Sequence, residues 1–445
     1  MSLTPLIFLG LFALGIVAAF FVHPKYGLYT YFLAFFMSPD KTWWEDLVPD
    51  IRYLMIAGSV TLIALLVQST KSSGLKWTEI GGFKIFIAFV VLLFPMYFWA
   101  VDPEEHWEGC ILYAKHLLIT YAIYRIAIDR EMLKTISLVM IVGCTWFGWQ
   151  AFGKSGDRLE GVAGAISDAN TLGMHMVTGV LIGAMMLLGF RGRYKWGAFL
   201  CIPLILNTVI LSGSRGAFLG LVSGGIAAAV FCPRRFRGQF GFLSMLALVL
   251  FLMLAHDQFL DRLASIFLVT EGQEAMDHSA ASRFDIAAAG WEMAKDYPLG
   301  AGHKGTRALS PGYMDARLLS HGRRAAHNSV MAALVSYGFI GCGLYLMLYL
   351  WSAKQLFRVK SIAEFDRDTD LGIFAAMFAA VLASVFASGM FSNYVFAEVQ
   401  FWMIGMIAAT MNLPEVRERS SVSRQTYDER SGRRRAHRPG PRYGS

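Results

Sequence analysis

The sequence predicts an all-α fold: a polytopic membrane helical bundle of about 12 transmembrane helices with one long extramembrane loop. Three observations carry this prediction. Of 445 residues, 56% are hydrophobic and only 16% charged, against about 45–50% and about 25% in a soluble domain. The chain divides into successive apolar runs, and mean hydropathy is +0.48. Clusters of Lys and Arg recur at alternate junctions between those runs, which puts them all on one side. The first number argues against a water-soluble enzyme and against a disordered or collagen-like chain. The 14% aromatic content and 43 glycines suit a membrane protein, where Trp and Tyr gather at interfaces and Gly is tolerated in spans.

The apolar runs fall at 3–22, 27–37, 52–68, 84–101, 110–127, 134–151, 171–190, 196–212, 217–232, 240–255, 328–352, 371–390 and 393–411. Each must be helical in lipid, because no water is there to satisfy backbone polar groups. The first has no basic segment before it and is too long for a signal core, so it is expected to be a retained span. The second is too short to cross comfortably and suggests a tilted span or half a hairpin. The others are long enough, or nearly so, at about 20 residues per crossing.

Basic clusters orient these runs. Lys71 and Lys76 follow the third run, Arg191, Arg193 and Lys195 the seventh, and Arg234, Arg235 and Arg237 the ninth. Lys354, Arg358, Lys360 and Arg367 follow the eleventh, and nine Arg against four acids follow Asn412. The positive-inside rule places all of them, and the C-terminus, in the cytoplasm. This accounts for much of the net charge of +8 without nucleic acid as a partner. The domains expected are 1–255, an N-terminal transmembrane bundle; 256–326, an outer loop; 327–411, C-terminal transmembrane helices; and 412–445, a disordered basic tail. Cys110, Cys144, Cys201, Cys232 and Cys342 lie in or beside apolar runs, which suits neither a disulfide framework nor a zinc site.

The outer loop 256–326 carries its own signals. Ser282-Arg283-Phe284-Asp285 fits a capping-box start with Asp in place of Glu. Phe284, Ala288, Trp291 and Ala294 then share one helical face, and Pro298-Leu299-Gly300-Ala301-Gly302 stops the helix. An amphipathic helix on the bilayer or against the bundle is expected.

Ionisable residues at span ends carry the functional information in such a protein. Arg215, in Leu211-Ser212-Gly213-Ser214-Arg215-Gly216, stands in a short outer turn directly before a helix. A helix N-terminus plus a guanidinium suits phosphate, although an interfacial Arg also simply snorkels to water. Arg283 sits in the first turn of the outer helix, as a phosphate ligand or a solvated side chain. His327 ends the long loop, where neutral imidazole could accept a proton from a hydroxyl or merely cap a helix. Lys304, Arg307, Arg317, Arg323 and Arg324, with one acid among them, could receive an anion or form a solvated face. Asp168 and Asn170 open the seventh run as a helix cap that could also line a pocket mouth. Gly216, Gly220 and Gly224, spaced by four, suit close helix packing. No metal is expected: His303, His321 and His327 share the loop without a nearby carboxylate, and no DxD pair faces outward.

These residues resemble a family. His327-Asn328, nine further residues, then Gly338-Phe339-Ile340-Gly341 looks like the signature of O-antigen ligases. Leu211 to Gly220, and Ser282 to Gly302 with Trp291, are similar to the core of the wider O-antigen ligase and polymerase superfamily. Pro24-Lys25-Tyr26-Gly27 and Trp43-Trp44 look most like the exosortase-associated O-glycosylation ligase subgroup. The resemblance covers about residues 1–412. It implies a GT-C-like glycosyltransferase in the bacterial inner membrane with its active site facing the periplasm. It would move a glycan from undecaprenyl diphosphate to a hydroxyl on lipid A-core or protein, with inversion and with no metal or other cofactor. By the same resemblance His327 would be the general base, and Arg215 and Arg283 would hold the diphosphate. From their own positions, Asp168, Asn170, Lys304, Arg323, Arg324 and Asn328 could line the pocket. A glycan polymerase of the same superfamily is the alternative. A transporter or flippase is a further one; its polar residues would sit near the midplane, where Lys115, His116 and Glu398 are the candidates.

Overall fold

A computed structural model of the chain describes residues 3–40, 42–68, 75–152, 159, 166, 168–254, 278–320 and 322–419. The architecture is all-α. In chain order the helices are α1 (Leu3–Phe21), α2 (Lys25–Phe36), α3 (Tyr53–Val67), α4 (Gly81–Met96), α5 (Pro103–Ile126), α6 (Arg130–Ala151), α7 (Ala169–Gly189), α8 (Arg193–Leu211), α9 (Arg215–Phe231) and α10 (Arg237–Leu254). Then come α11 (His278–Asp296), α12 (Gly305–Tyr313), α13 (Ser329–Asp366), α14 (Thr369–Gly389) and α15 (Glu398–Met411). Every apolar run therefore forms a helix. Among the described residues α1, α6, α7, α8, α13 and α14 are long and apolar enough to cross a bilayer, and α3, α4 and α9 are shorter apolar helices.

Two kinds of apolar helix separate by position. α14 is enclosed by α7, α9, α13 and α15; its Ala375, Ala376 and Ala380 are fully buried. Small residues let its backbone approach its neighbours closely. At Gly220 of α9 a Cβ would stand 2.9 Å from Ser384 Oγ, and at Gly224 2.8 Å from the Ala380 carbonyl. The expected packing role of the small-residue stripe is thus met. By contrast α1 exposes Leu3, Leu14 and Phe21 outward, and α8 exposes Leu200. Large apolar side chains on the outside of a bundle suit lipid contact. Near the centre, Trp402 of α15 is buried against Phe32 and Phe35 of α2, with ring centroids 5.0 and 4.9 Å away, edge to face.

The polar ends sort into two groups. At one end Arg130 bridges Asp368 and Glu415, each at 2.6 Å. Lys134 pairs with Asp370 at 2.7 Å, Lys360 donates to the Val230 carbonyl at 2.8 Å, and the Leu75 N–H donates to Asn412 at 2.8 Å. This end collects Lys360, Arg193 and the start of the basic tail, as the charge pattern requires. At the opposite end lie the starts of α5, α7, α9 and α13 and the end of α14.

Two expectations are corrected. The loop helix α11 begins at His278 and not at Ser282, so Ser282 stands in the second turn rather than capping the helix. Its buried face is Ile286, Gly290, Met293 and Ala294, whereas Phe284, Ala288 and Trp291 are exposed. Gly290 faces Met331 and Val335 of α13; a glycine there lets the two helices meet, which the apolar spacing did not reveal. The last apolar run starts its helix at Glu398, leaving 390–397 as irregular chain. Tail residues 420–445, and 255–277 of the long loop, lie outside the described residues.

Candidate functional site

The site is built from helix starts. Ser214 caps α9, its hydroxyl accepting from the Ala217 N–H at 3.2 Å. The same hydroxyl donates to Asn170 Oδ1 at 2.9 Å. Asp168 caps α7 by accepting from the Asn170 and Thr171 N–H groups at 2.9 and 3.0 Å. The Asp168-Ala-Asn170 stretch therefore caps its helix as expected, and it also ties that helix start to the one that begins at Arg215. Side-chain caps satisfy the orphan N–H groups of a first turn. Ser214→Ala removes both bonds and is expected to lower stability by about 1 kcal/mol or somewhat more, read as a reduced thermal midpoint of the purified protein.

The third start is α13. Asn328 caps it, accepting from the Met331 N–H at 3.0 Å. His327, directly before, is exposed. The α9 and α13 starts meet on one turn, Ser388 to Tyr394, at the end of α14. Ser388 Oγ donates to the Gly216 carbonyl at 2.9 Å. Ser329 Oγ donates to the Ser392 carbonyl at 3.1 Å and accepts from the Tyr394 N–H at 2.8 Å. Asn328 Nδ2 reaches the Met390 carbonyl at 3.4 Å. Arg215 and His327, well over a hundred positions apart in sequence, thus each stand one or two residues from a contact with the same turn. Sequence reasoning missed this turn. Its signal was the Ser388-Gly389 and Ser392-Asn393 pairs interrupting two apolar runs.

The loop reaches the site by a backbone exchange. Gly338 of α13 has φ 68°, ψ −174°, and breaks the helix. In a regular helix the Phe339 N–H would donate to the Val335 carbonyl. Here it donates to the Pro298 carbonyl at 3.0 Å. The freed Val335 and Ser336 carbonyls accept from the Ala301 and Gly302 N–H groups, both at 2.9 Å. Pro298-Leu299-Gly300-Ala301-Gly302 therefore does more than stop α11: it fills the gap in α13. A Cβ at Gly300 would lie 2.6 Å from Gly338 N, and one at Gly338 would run into the Pro298 carbonyl oxygen. Gly300 and Gly338, one from each of these two motifs, are explained by this one close approach.

A buried chain of hydrogen bonds locks the loop beside it. His106 Nε2–H donates to the Leu93 carbonyl at 2.8 Å, and its Nδ1 accepts from the His303 N–H at 3.0 Å. Tyr337 donates to Tyr113 at 3.1 Å and Tyr113 to the Val395 carbonyl at 3.3 Å. His303 Nδ1, 2.8 Å from the Tyr337 hydroxyl, must then carry the proton and donate. Burial first, then the Lys304 ammonium, hold the His303 imidazole down at about 4 from the ordinary 6.5. Unfolding lets it protonate at 6.5, so its contribution is present above that pH and is lost as pH falls toward 4. Wild type should therefore lose on the order of 3 kcal/mol more than His303→Gln between pH 7 and 4, measured as thermal unfolding against pH.

The basic segment divides. Lys304 forms an ion pair with Glu105. Arg317 pairs with Asp315 at 3.4 Å, both well exposed. Arg324 Nε donates to the Leu318 carbonyl at 2.7 Å, while Arg307 and Arg323 are exposed. Most of this group is thus structural or solvated. A cavity of about 190 Å³ lies between Lys304, Thr306, Arg307, Ala326, Ser336 and Asn393, next to His327. Arg283 lies on α11 two turns before Gly290, which places its backbone on the helix that crosses the start of α13. Its side chain lies outside the described residues.

Residues 198–346 match the O-Antigen ligase family model. The match supports the O-antigen ligase superfamily, and it contains Arg215, Arg283, His327, the Pro298–Gly302 segment and the Gly338 break. No curated protein matches the chain. The family indicates O-antigen ligase or polymerase-type function, a membrane glycosyltransferase-like activity on lipid-linked glycans.

Proposed function

We propose that the chain is an O-antigen ligase-like glycosyltransferase that moves a glycan from undecaprenyl diphosphate to an acceptor hydroxyl, on lipid A-core or protein. The observation that carries this is the convergence of the Arg215 and His327 helix starts on the Ser388–Tyr394 turn, inside a family match that spans both residues. His327 takes the proton of the acceptor hydroxyl. The freed oxygen attacks the anomeric carbon, the bond to the diphosphate breaks, and configuration inverts. Arg215 and Arg283 hold the diphosphate and take up the charge that grows on it. Two guanidinium groups supply what a divalent cation would otherwise supply, so the reaction needs no metal. Asp168, Asn170 and Asn328 hold the helix starts; Lys304, Arg323 and Arg324 border the site.

The enzyme lies in the bacterial inner membrane with the His327 end in the periplasm and the C-terminus in the cytoplasm. Residues 1–255 and 327–411 form the bundle, 256–326 the periplasmic loop and 412–445 a tail. The test is product analysis in a cell lacking the native gene. Glycan joined to lipid A-core or protein supports the ligase. Lengthened glycan left on the carrier lipid, with none transferred, would mean a polymerase.

A further inference from the structure

A second cavity lies away from His327. It measures about 610 Å³, within the range of ligand-binding clefts. α2, α3 and α5 form its walls. Asp40, Asp50 and Arg52 line it, as do Lys115 of α5 and Glu398 at the start of α15. Among the described residues none of these five charged side chains forms an ion pair. Asp40, Asp50, Arg52 and Lys115 are exposed around its opening, while Glu398 is partly enclosed.

Depth makes the arrangement more informative. Lys115 stands twelve residues into α5 but only five past the start of the apolar run 110–127, about 8 Å along the axis, so it lies inside the span near the end from which α5 starts. Glu398 shares that level, because the neighbouring His116 Nε2 donates to the Phe396 carbonyl at 3.0 Å. A charged group inside a span is costly unless something polar meets it. The rest of the lining is of another kind. Leu62, Leu112 and Ile119 are apolar, and Met55 and Leu118 are exposed, so the space opens sideways between α3 and α5. Tyr31 and Tyr53 border the space with rings largely buried against Trp402 and against Phe8 and Phe12.

We propose that this cavity binds a glycolipid, with its chain entering between α3 and α5 and its hydroxyl-rich head among the charged groups. Carboxylates accept from sugar hydroxyls, and Arg52 and Lys115 donate to hydroxyl or phosphate oxygens. The choice of a glycolipid rests on the proposed glycan transfer. The cavity also adjoins the site: Glu398 lines it, while Asn393 and Phe396, a few residues earlier, line the small cavity beside His327. One stretch, 393–398, separates the two spaces.

Two probes separate the donor from the acceptor as source: a prenyl-diphosphate-linked monosaccharide, and a diacyl glycolipid without diphosphate. Equilibrium binding of each to the full chain in lipid nanodiscs is measured for wild type, Leu62→Trp, Glu398→Gln and His327→Ala. Leu62→Trp should weaken one probe at least tenfold and Glu398→Gln at least threefold, with His327→Ala within twofold of wild type. The probe affected names the source. The inference is overturned if both probes bind Leu62→Trp and Glu398→Gln as tightly as wild type, or if sugar-free phospholipid competes as well as the glycolipid. Should Leu62→Trp not fold, Glu398→Gln, which changes no volume, decides alone. Transfer lost in His327→Ala with binding unchanged in Leu62→Trp would sink this site and leave the ligase; the reverse pattern would sink the ligase and leave the site.

Discussion

His327→Ala should lower the amount of attached glycan by about 100-fold or more, the usual range for a lost general base, while the protein still inserts in the membrane. His327 is exposed and makes no part of the buried core, so the change should cost little stability. Arg215→Ala should produce a loss of similar size, and Arg215→Lys should recover only part of it. Lysine keeps the charge but loses the planar fork that grips a diphosphate. The assay is surface glycan in a strain without the native gene, with membrane levels of each variant checked by immunoblot. Wild-type attachment in a correctly inserted His327→Ala protein would remove this residue from the mechanism.

Gly338→Ala is the substitution expected to damage the fold most. Its φ of 68° is strained for any residue with a Cβ. The added carbon would also meet the Pro298 carbonyl and Gly300 N. Strain and overlap each cost about 1–3 kcal/mol, so a loss of about 2–6 kcal/mol is expected. Separation of Pro298–Gly302 from α13 would leave the Val335 and Ser336 carbonyls without partners. The readout is the thermal midpoint in detergent, with Gly343→Ala as the comparison. Gly343 lies on the same helix with open space around it, and there alanine should be neutral or slightly stabilising. Equal midpoints for the two variants would contradict the account of the broken helix.

Much of the fold was legible because lipid leaves the chain few choices. An apolar run in a membrane must be a helix, so the thirteen runs became helices with only their ends adjusted. The caps at Asp168 and Ser214 were legible or nearly so, since a short polar side chain before an apolar run has one common use. The buried face of α11 was not. Phe284 and Trp291 share an apolar face suited to the bilayer or the bundle, yet α11 meets α13 through the Gly290 face, where a glycine lets Met331 approach. Hydropathy measures how much a side chain prefers apolar surroundings and says nothing about how close two backbones come.

The sequence by itself determined the all-α class, the separation of basic ends from the opposite ends, and the residue types available for chemistry: Arg215, Arg283 and His327 amid few other ionisable groups. Only the tertiary structure decided what stands beside what. It brought the Arg215 and His327 helix starts onto the Ser388–Tyr394 turn, seated Pro298–Gly302 in the gap at Gly338, and gathered Lys115 and Glu398 around one cavity. The physical reason is range. Span formation depends on local transfer free energy, which sums along the chain. These juxtapositions depend on hydrogen bonds and close contacts between residues far apart in sequence, and those are settled only when the helices pack.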